Sequence, residues 1–422
     1  MTAPSRSDWA WAAAPPVRWV GGNEVTLLKG GDELFPAMLQ AMAAAREEIW
    51  LTTYIFHDDR AGRTVADALV AAAQRGVVVH VVVDGFGSKG TLQTLRRWLS
   101  EGEVDVEVFR PIDRWWRYLQ PGQLRRLHHK LCVVDEAQAF VGGINIIDDR
   151  HDLNHGWTET PRLDFAVGLR GPLVDHVRHA ARAMWARAKL GHGWPGELRR
   201  LAHSSSPVRS VARLLRTLTA RPRRPAPGPA LQPMRAAFVV RDNVSQRRSI
   251  EHRYIESMRR ARGRIDIACP YFYPGQGFRR ALIKAAKRGV RIRLLMQGKI
   301  DYRLAALAAR VLYDDLRRHG VKIYEYTPAF LHAKVALVDD HWATVGSSNI
   351  DPLSLLLNLE ANVIVRDPAF SASLAARLDE AFAAATEITR SQAPGWRGWL
   401  RRGLVAWVAT VYLRVAGITG RY

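Results

Sequence analysis

LHHKLCVVDEAQAFVGGIN, residues 127–145, is matched in pattern by LHAKVALVDDHWATVGSSN, residues 331–349. Both copies read His-x-Lys-x4-Asp-x6-Gly-(Gly/Ser)-x-Asn. The first places His128, Lys130, Asp135, Gly142, Gly143 and Asn145; the second places His332, Lys334, Asp339, Gly346, Ser347 and Asn349, at an offset of 204 residues. Two such copies in register arise by chance with odds of about one in a million. The branched apolar content of each copy predicts a β-strand. Residues two apart on a strand share a face. His128 therefore projects beside Lys130, and His332 beside Lys334, while Leu131, Val133, Val335 and Leu337 face a core. Asp135 and Asp339 fall where each strand gives way to a tight turn, which reads as scaffold chemistry. The next strand, AFVGG or ATVGS, returns antiparallel and ends in glycine, where bare backbone approaches a ligand closely. Asn145 and Asn349 then stand beside the His/Lys pairs.

Two histidines, two lysines and two asparagines converging suit a phosphodiester. Ammonium groups and neutral amides bind the nonbridging oxygens. One neutral imidazole attacks phosphorus, the other, protonated, donates to the departing oxygen, and the roles reverse when an acceptor alcohol arrives. Such a site needs no metal. No compact His/Asp/Glu cluster at ligand spacing stands out, and Cys132 and Cys269 are isolated, so neither metal nor cofactor is expected.

These residues resemble the paired HKD motifs of the phospholipase D superfamily. The resemblance implies a phosphohistidine intermediate, two similar halves around a pseudo-twofold axis, and a catalytic set of His128, Lys130, Asp135, His332, Lys334 and Asp339. It implies phosphate binding by Lys130, Asn145, Lys334, Ser347 and Asn349. It also implies one acidic residue per half that holds a histidine tautomer: Glu360 in NLEAN, 28 residues beyond His332, and Asp164 in RLDFAV. Within the superfamily the motifs are most similar to bacterial cardiolipin synthases of the B type, which lack N-terminal transmembrane helices. That branch transfers a phosphatidyl group from phosphatidylglycerol to a second phospholipid alcohol, with phosphatidylethanolamine a further substrate to consider. His128 is taken as nucleophile and His332 as general acid and base. A phospholipid hydrolase would share every catalytic letter, and a nucleic-acid phosphodiesterase would also explain the charge.

Duplication is visible outside the motifs. ALVAAAQRGVVVHVVVDG (68–85) aligns without gaps to ALIKAAKRGVRIRLLMQG (281–298), each reading as a helix end, a glycine cap and a buried strand. Upstream, EEIWLTTYIF and GRIDIACPYF form a second matching pair of strands. The fold class is therefore α/β, internally duplicated, with two mixed or parallel sheets flanked by helices and the active site between the halves. The 422 residues divide into halves at 17–200 and 233–390, joined by a Ser-, Arg- and Pro-rich basic linker at 201–232.

The net charge of +22 requires an acidic partner. The tail at 394–422 points to an anionic phospholipid membrane rather than nucleic acid. Its apolar run, Leu404 to Leu413, is far short of the roughly 20 residues a membrane span needs. With Trp396, Trp399, Trp407 and Tyr412 between flanking arginines, it reads as a helix lying among headgroups. Trp115, Trp116 and Tyr118, interleaved with arginines just before the first motif, would add a second interfacial element. MTAPSRSDWAWAAAPP has no sustained apolar core, so no signal peptide is expected. The expected place is the cytoplasmic face of the bacterial inner membrane, held peripherally.

Overall fold

Gly76 and Gly289 close the helices of the two aligned stretches with φ of 90° and 87°. An added Cβ would meet nothing within 4 Å at either position, so it is the left-handed backbone of a helix cap that calls for glycine there. The computed structural model describes residues 17–112, 125–191, 234–242, 246–299 and 313–389. The expected linker at 201–232, the aromatic segment at 115–118 and the tail at 394–422 lie outside the described residues.

The first half runs β1 (Val20–Lys29), α1 (Gly30–Ala44), β2 (Glu48–Thr53), α2 (Arg60–Gln74), β3 (Val78–Asp84), α3 (Leu92–Ser100) and β4 (Asp105–Phe109). It continues with β5 (Arg126–Leu127), β6 (Lys130–Val134), β7 (Gln138–Gly142), the hairpin β8 (His151–Asp152) and β9 (Gly156–Trp157), β10 (Phe165–Arg170) and α4 (Val174–Gly191). The second half opens with β11 (Met234–Arg241), α5 (Ser249–Arg260), β12 (Arg264–Ala268), α6 (Gln276–Lys287), β13 (Arg291–Gln297) and β14 (Lys322–Tyr326). It ends with β15 (Val335–Val338), β16 (Trp342–Gly346), α7 (Pro352–Leu357), β17 (Asn358–Arg366), α8 (Pro368–Ala383) and β18 (Thr386–Glu387).

Strand order in the first half is β1-β10-β7-β6-β2-β3-β4, and in the second β11-β17-β16-β15-β12-β13-β14. The two orders correspond strand for strand, which is the duplication in three dimensions. Within each half the βαβ crossovers give parallel pairs, β2 with β3 and β12 with β13, and the motif hairpins give antiparallel ones. The two expected sheets are joined: β1 pairs antiparallel with β11, making one continuous mixed sheet. Hairpin β8–β9 and helix α7 occupy the equivalent connection, so the halves differ there.

Alternation along the motif strands buries both faces. Leu131, Val133, Val335 and Leu337 meet in one core shared by the halves, where β7 and β10 lie against β16 and β17. Cys132 and Val134 pack into a core belonging to the first half, Ala336 and Val338 into its counterpart in the second. Each large apolar side chain buried this way contributes about 1.5–3 kcal/mol. The shared core therefore ties the halves into one cooperative unit. Among the described residues no helix is long and apolar enough to cross a membrane.

Candidate active site

Two short parallel pairings across the halves build the site. Leu127 in β5 pairs with Leu359 in β17, and Leu163 forms an isolated bridge with Leu331. The His128 N–H donates to the Leu359 carbonyl at 3.0 Å, and the His332 N–H to the Leu163 carbonyl at 2.9 Å. Each histidine thus sits opposite the carboxylate that follows its partner. His128 Nδ1 lies 3.0 Å from Glu360 Oε2, and His332 Nδ1 lies 2.6 Å from Asp164 Oδ2. The dyads are crossed: each half orients the other half's histidine. An ionised carboxylate only accepts, so it holds the proton on Nδ1 and leaves Nε2 as the basic nitrogen. The preceding residues are fixed in parallel fashion, the Leu127 N–H donating to Asp84 Oδ2 at 2.8 Å and the Leu331 N–H to Gln297 Oε1 at 2.9 Å.

Glu360 is fully buried and yet charged. Burial pushes its carboxyl up, but His128, Arg241 and Lys130 together hold it well below the usual range. Ser347 Oγ donates to Oε2, Ser354 Oγ to Oε1 at 2.9 Å, and the Arg241 guanidinium approaches to 3.5 Å while donating to the Ser354 carbonyl at 2.8 Å. Asp164 has fewer such partners, and burial raises it to about 6 against the pull of Lys334. Burial lowers the imidazoles of both dyads from their ordinary value, against Glu360 for His128 and with Lys334 and Lys130 adding for His332.

The lysines are nearly inaccessible, 5% exposed for Lys130 and 1% for Lys334. Each donates one proton to a histidine carbonyl, Lys130 to that of His128 at 2.7 Å and Lys334 to that of His332. Each ammonium carries two further N–H donors, with no other hydrogen-bond acceptor among the described residues. Burial brings Lys130 down to about 7 and Lys334 to about 8. Asn145 Oδ1 accepts from the Ile55 N–H at 3.3 Å, which turns its NH2 the other way as a donor. Asn349 Oδ1 lies 3.9 Å from Cys269 Sγ in the equivalent place. Tyr54 packs beside this group, its ring tilted 57° and 5.2 Å from that of His128 and 5.7 Å from Lys130 Nζ.

Four expectations are corrected. Asp135 and Asp339, carried into the catalytic set by resemblance, sit at the far end of the strand, about 16 Å from Lys130 for Asp135 at 3.3 Å per residue. Asp135 accepts from the backbone N–H groups of Arg46, Glu47 and Glu48, at 2.9–3.1 Å, and Asp339 from those of Arg262, Gly263 and Arg264. Both adopt φ of 53°, the left-handed turn that aspartate tolerates, as the turn reading required. Ser347, expected on the phosphate, is buried and spends its hydroxyl on Glu360. Its counterpart Gly143 has no room for a side chain, since a Cβ there would stand 2.4 Å from Asp164 Oδ1. Finally, a compact His/Asp cluster does exist: His57, Asp59 and His151 come together, with donor atoms all within 4.8 Å of one another. The distance of His151 from the other two along the chain hid it.

His129 faces away from the dyads, with Nδ1 3.1 Å from Thr52 Oγ1, and burial lowers it to about 3. Cys132 and Cys269 are free and buried, with thiols pushed up to about 12 by burial. Sequence reading missed Arg241, Ser354, Asp84 and Gln297. Only the last two had a signal, as equivalent polar ends of the aligned strands VVVD and LLMQ.

Similarity to known proteins agrees with this geometry. The family model described as cardiolipin synthase, PLD-like domain, matches residues 38–157 and 254–384, one segment in each half. Cardiolipin synthase B of Escherichia coli K12 is 38% identical over 376 residues, 87% of this chain and 82% of the relative. Cardiolipin synthase A of Pseudomonas fluorescens SBW25 is 30% identical over 375 residues, 88% of this chain and 71% of the relative. The crystal structure of phosphatidylserine synthase from Haemophilus influenzae Rd KW20 shares the fold, with a TM-score of 0.66 at 12% identity, covering 98% of this chain and all of the other. With paired motifs, crossed dyads and a relative this similar over most of its length, the chain belongs to the cardiolipin synthase family of phospholipase D-like proteins.

Proposed function

We propose that this chain is a phosphatidyltransferase that makes cardiolipin, moving a phosphatidyl group from phosphatidylglycerol to a second phospholipid alcohol. The observation that carries the reading is the crossed pair of His–carboxylate dyads flanked by two buried lysines and two asparagine amides.

His128 Nε2 attacks phosphorus, forming a P–N bond as the P–O bond to glycerol breaks. His332 gives its proton to the departing glycerol oxygen. In the second half-reaction neutral His332 takes the proton of the acceptor alcohol, whose oxygen displaces His128. Lys130, Lys334, Asn145 and Asn349 bind the nonbridging oxygens and offset the charge that builds on them. The firmly ionised Glu360 favours His128 as nucleophile, because it stabilises the positive ring of a phosphohistidine. Asp164, near 6, suits an imidazole that gains and loses a proton in each cycle. An anionic phosphodiester in the cleft offsets the two ammonium charges and lets His332 take up its proton. The net charge of +22 favours work at an anionic leaflet, peripherally and on the cytoplasmic side, at about 1 kcal/mol per well-placed Lys or Arg.

The test is product analysis with labelled phosphatidylglycerol vesicles, with and without glycerol or phosphatidylethanolamine. Cardiolipin with free glycerol is expected, and dependence on added lipid identifies the second substrate. Phosphatidic acid as sole product would assign a hydrolase instead. Absence of lipid turnover, with cleavage of nucleic acid, would overturn the lipid reading altogether.

A further inference from the structure

We propose that His57, Asp59 and His151 form a binding site for a divalent transition-metal ion, zinc in chemical class, at the rim of the catalytic cleft.

His57 Nδ1 and His151 Nδ1 converge on one oxygen, Asp59 Oδ2, at 3.5 and 3.6 Å. These separations exceed the 2.7–3.2 Å of a hydrogen bond. They match the edge of a tetrahedron instead: ligand bonds of about 2.0–2.1 Å at tetrahedral angles put donor atoms about 3.3–3.4 Å apart. Both Nδ1 atoms are shielded from solvent and have no hydrogen-bond partner among the described residues. Asp58 Oδ1, 3.6 Å from His57 Nδ1, stands outside the trio. Two imidazoles and a carboxylate, with a fourth position open, are a donor set that zinc accepts readily.

The carboxylate is held for this purpose. Asp59 caps α2 with Oδ1, which accepts from the Gly62 N–H at 3.0 Å, while Oδ2 accepts from the Asp148 N–H at 2.8 Å and faces the histidines. Burial pushes its carboxyl up, but His57 and those two backbone donors bring it down to about 2, so it stays charged. The His151 ring is stacked on Trp157 at 5.1 Å, and its backbone N–H donates to the Asp148 carbonyl at 2.9 Å.

The duplication supplies an internal control. In the second half, Tyr273 repeats the backbone bond of His57, donating to Ile350 where His57 donates to Ile146, and Gly275 takes the place of Asp59 before α6. That helix forms without the carboxylate, and the equivalent connection carries α7 instead of a hairpin. The fold therefore does not demand the cluster. A bound ion would clamp hairpin β8–β9 to the start of α2. The hairpin exposes Leu153 and Trp157, at 51% and 64%, and its His155 ring packs 5.0 Å from Phe330, two residues before His332. The ion thus holds an apolar projection at the entrance to the dyads without entering the phosphoryl-transfer steps.

The experiment uses full-length protein without a polyhistidine tag, stripped with chelator, titrated with zinc chloride by calorimetry and with cobalt chloride by visible absorption. One equivalent of zinc and the absorption of a four-coordinate cobalt centre are expected. His57→Ala and His151→Ala should weaken zinc by about a hundredfold or more, and Asp59→Asn, which keeps the helix cap, should do the same. His128→Ala/His332→Ala should retain the equivalent. No zinc binding at about 100 times micromolar concentration by the wild type overturns the site. So does binding that survives Asp59→Asn and His151→Ala, or binding lost with the catalytic histidines instead.

Discussion

Gly143→Ala should disable the enzyme through the opposite half. An alanine Cβ at this position would stand 2.4 Å from Asp164 Oδ1, 2.8 Å from Oδ2 and 2.9 Å from Cγ. Relief to ordinary contact needs the carboxylate to retreat by about 1 Å, and Asp164 is the group that fixes His332 Nδ1 at 2.6 Å. A displacement of about 1 Å in a catalytic array costs roughly a hundredfold in rate. That corresponds to about 2.7 kcal/mol of transition-state stabilisation. Turnover of phosphatidylglycerol vesicles should fall by that factor with KM little changed, since the lysines and amides proposed to bind phosphate are untouched. The second half contains the compensated form of the same arrangement, a serine at this position with the longer glutamate opposite. Gly143→Ser should therefore be impaired, and Gly143→Ser/Asp164→Glu should recover part of the loss. Full activity in Gly143→Ala, or a double variant no better than Gly143→Ser, would refute the claim that this glycine exists to seat Asp164.

Three other expectations are independent of that one. His128→Ala and His332→Ala should each remove nearly all turnover, because the two rings act as a unit; substantial activity in either by lipid product assay would refute the two-histidine scheme. Asp135→Ala should lower Tm by several degrees while leaving kcat per folded molecule near wild type, since its carboxylate serves three backbone N–H groups. A large kcat loss at unchanged Tm would return it to the chemistry. Lys130→Met should abolish turnover but raise Tm. Burial depresses the Lys130 pKa from 10.5 to about 7, so the folded state carries the whole penalty below pH 7 and loses it as pH rises toward 10.5. The stability gap between variant and wild type in denaturant titrations should thus be largest below pH 7 and shrink above it; a gap that grows with pH would show that Lys130 is not penalised by burial.

The chemistry was legible along the chain because its grammar is local. The His-x-Lys spacing is written within three residues, a turn needs Asp135 and Asp339, and a glycine ends each returning strand; the strands themselves begin later than expected, at Lys130 and Val335, so that His128, His332 and Lys334 lie just before them. The repeated helix, glycine cap and strand at 68–85 and 281–298 revealed two equivalent halves for the same reason: a cap and an apolar strand are written within a few consecutive residues. The exchange of carboxylates was not written there. Glu360 and His128 are 232 positions apart, Asp164 and His332 168 apart, and no periodicity links them. They meet because cross-half strand pairing sets Leu127 against Leu359 and Leu163 against Leu331.

The same distance explains the other differences. Ser347 resembles a ligand donor in a motif, yet its partner is chosen by where the buried charge of Glu360 comes to rest. Arg241 is one arginine among many until β11 ends against Ser354 and that charge. His57 and Asp59 precede α2 and His151 opens hairpin β8–β9, about 90 residues further on, so the trio exists only because the hairpin folds back over α2. Side-chain alternation, turns and caps are short-range properties that residue order determines directly. Which buried charge meets which partner depends on how two half-sheets close on a shared core, and that is a property of the packed molecule.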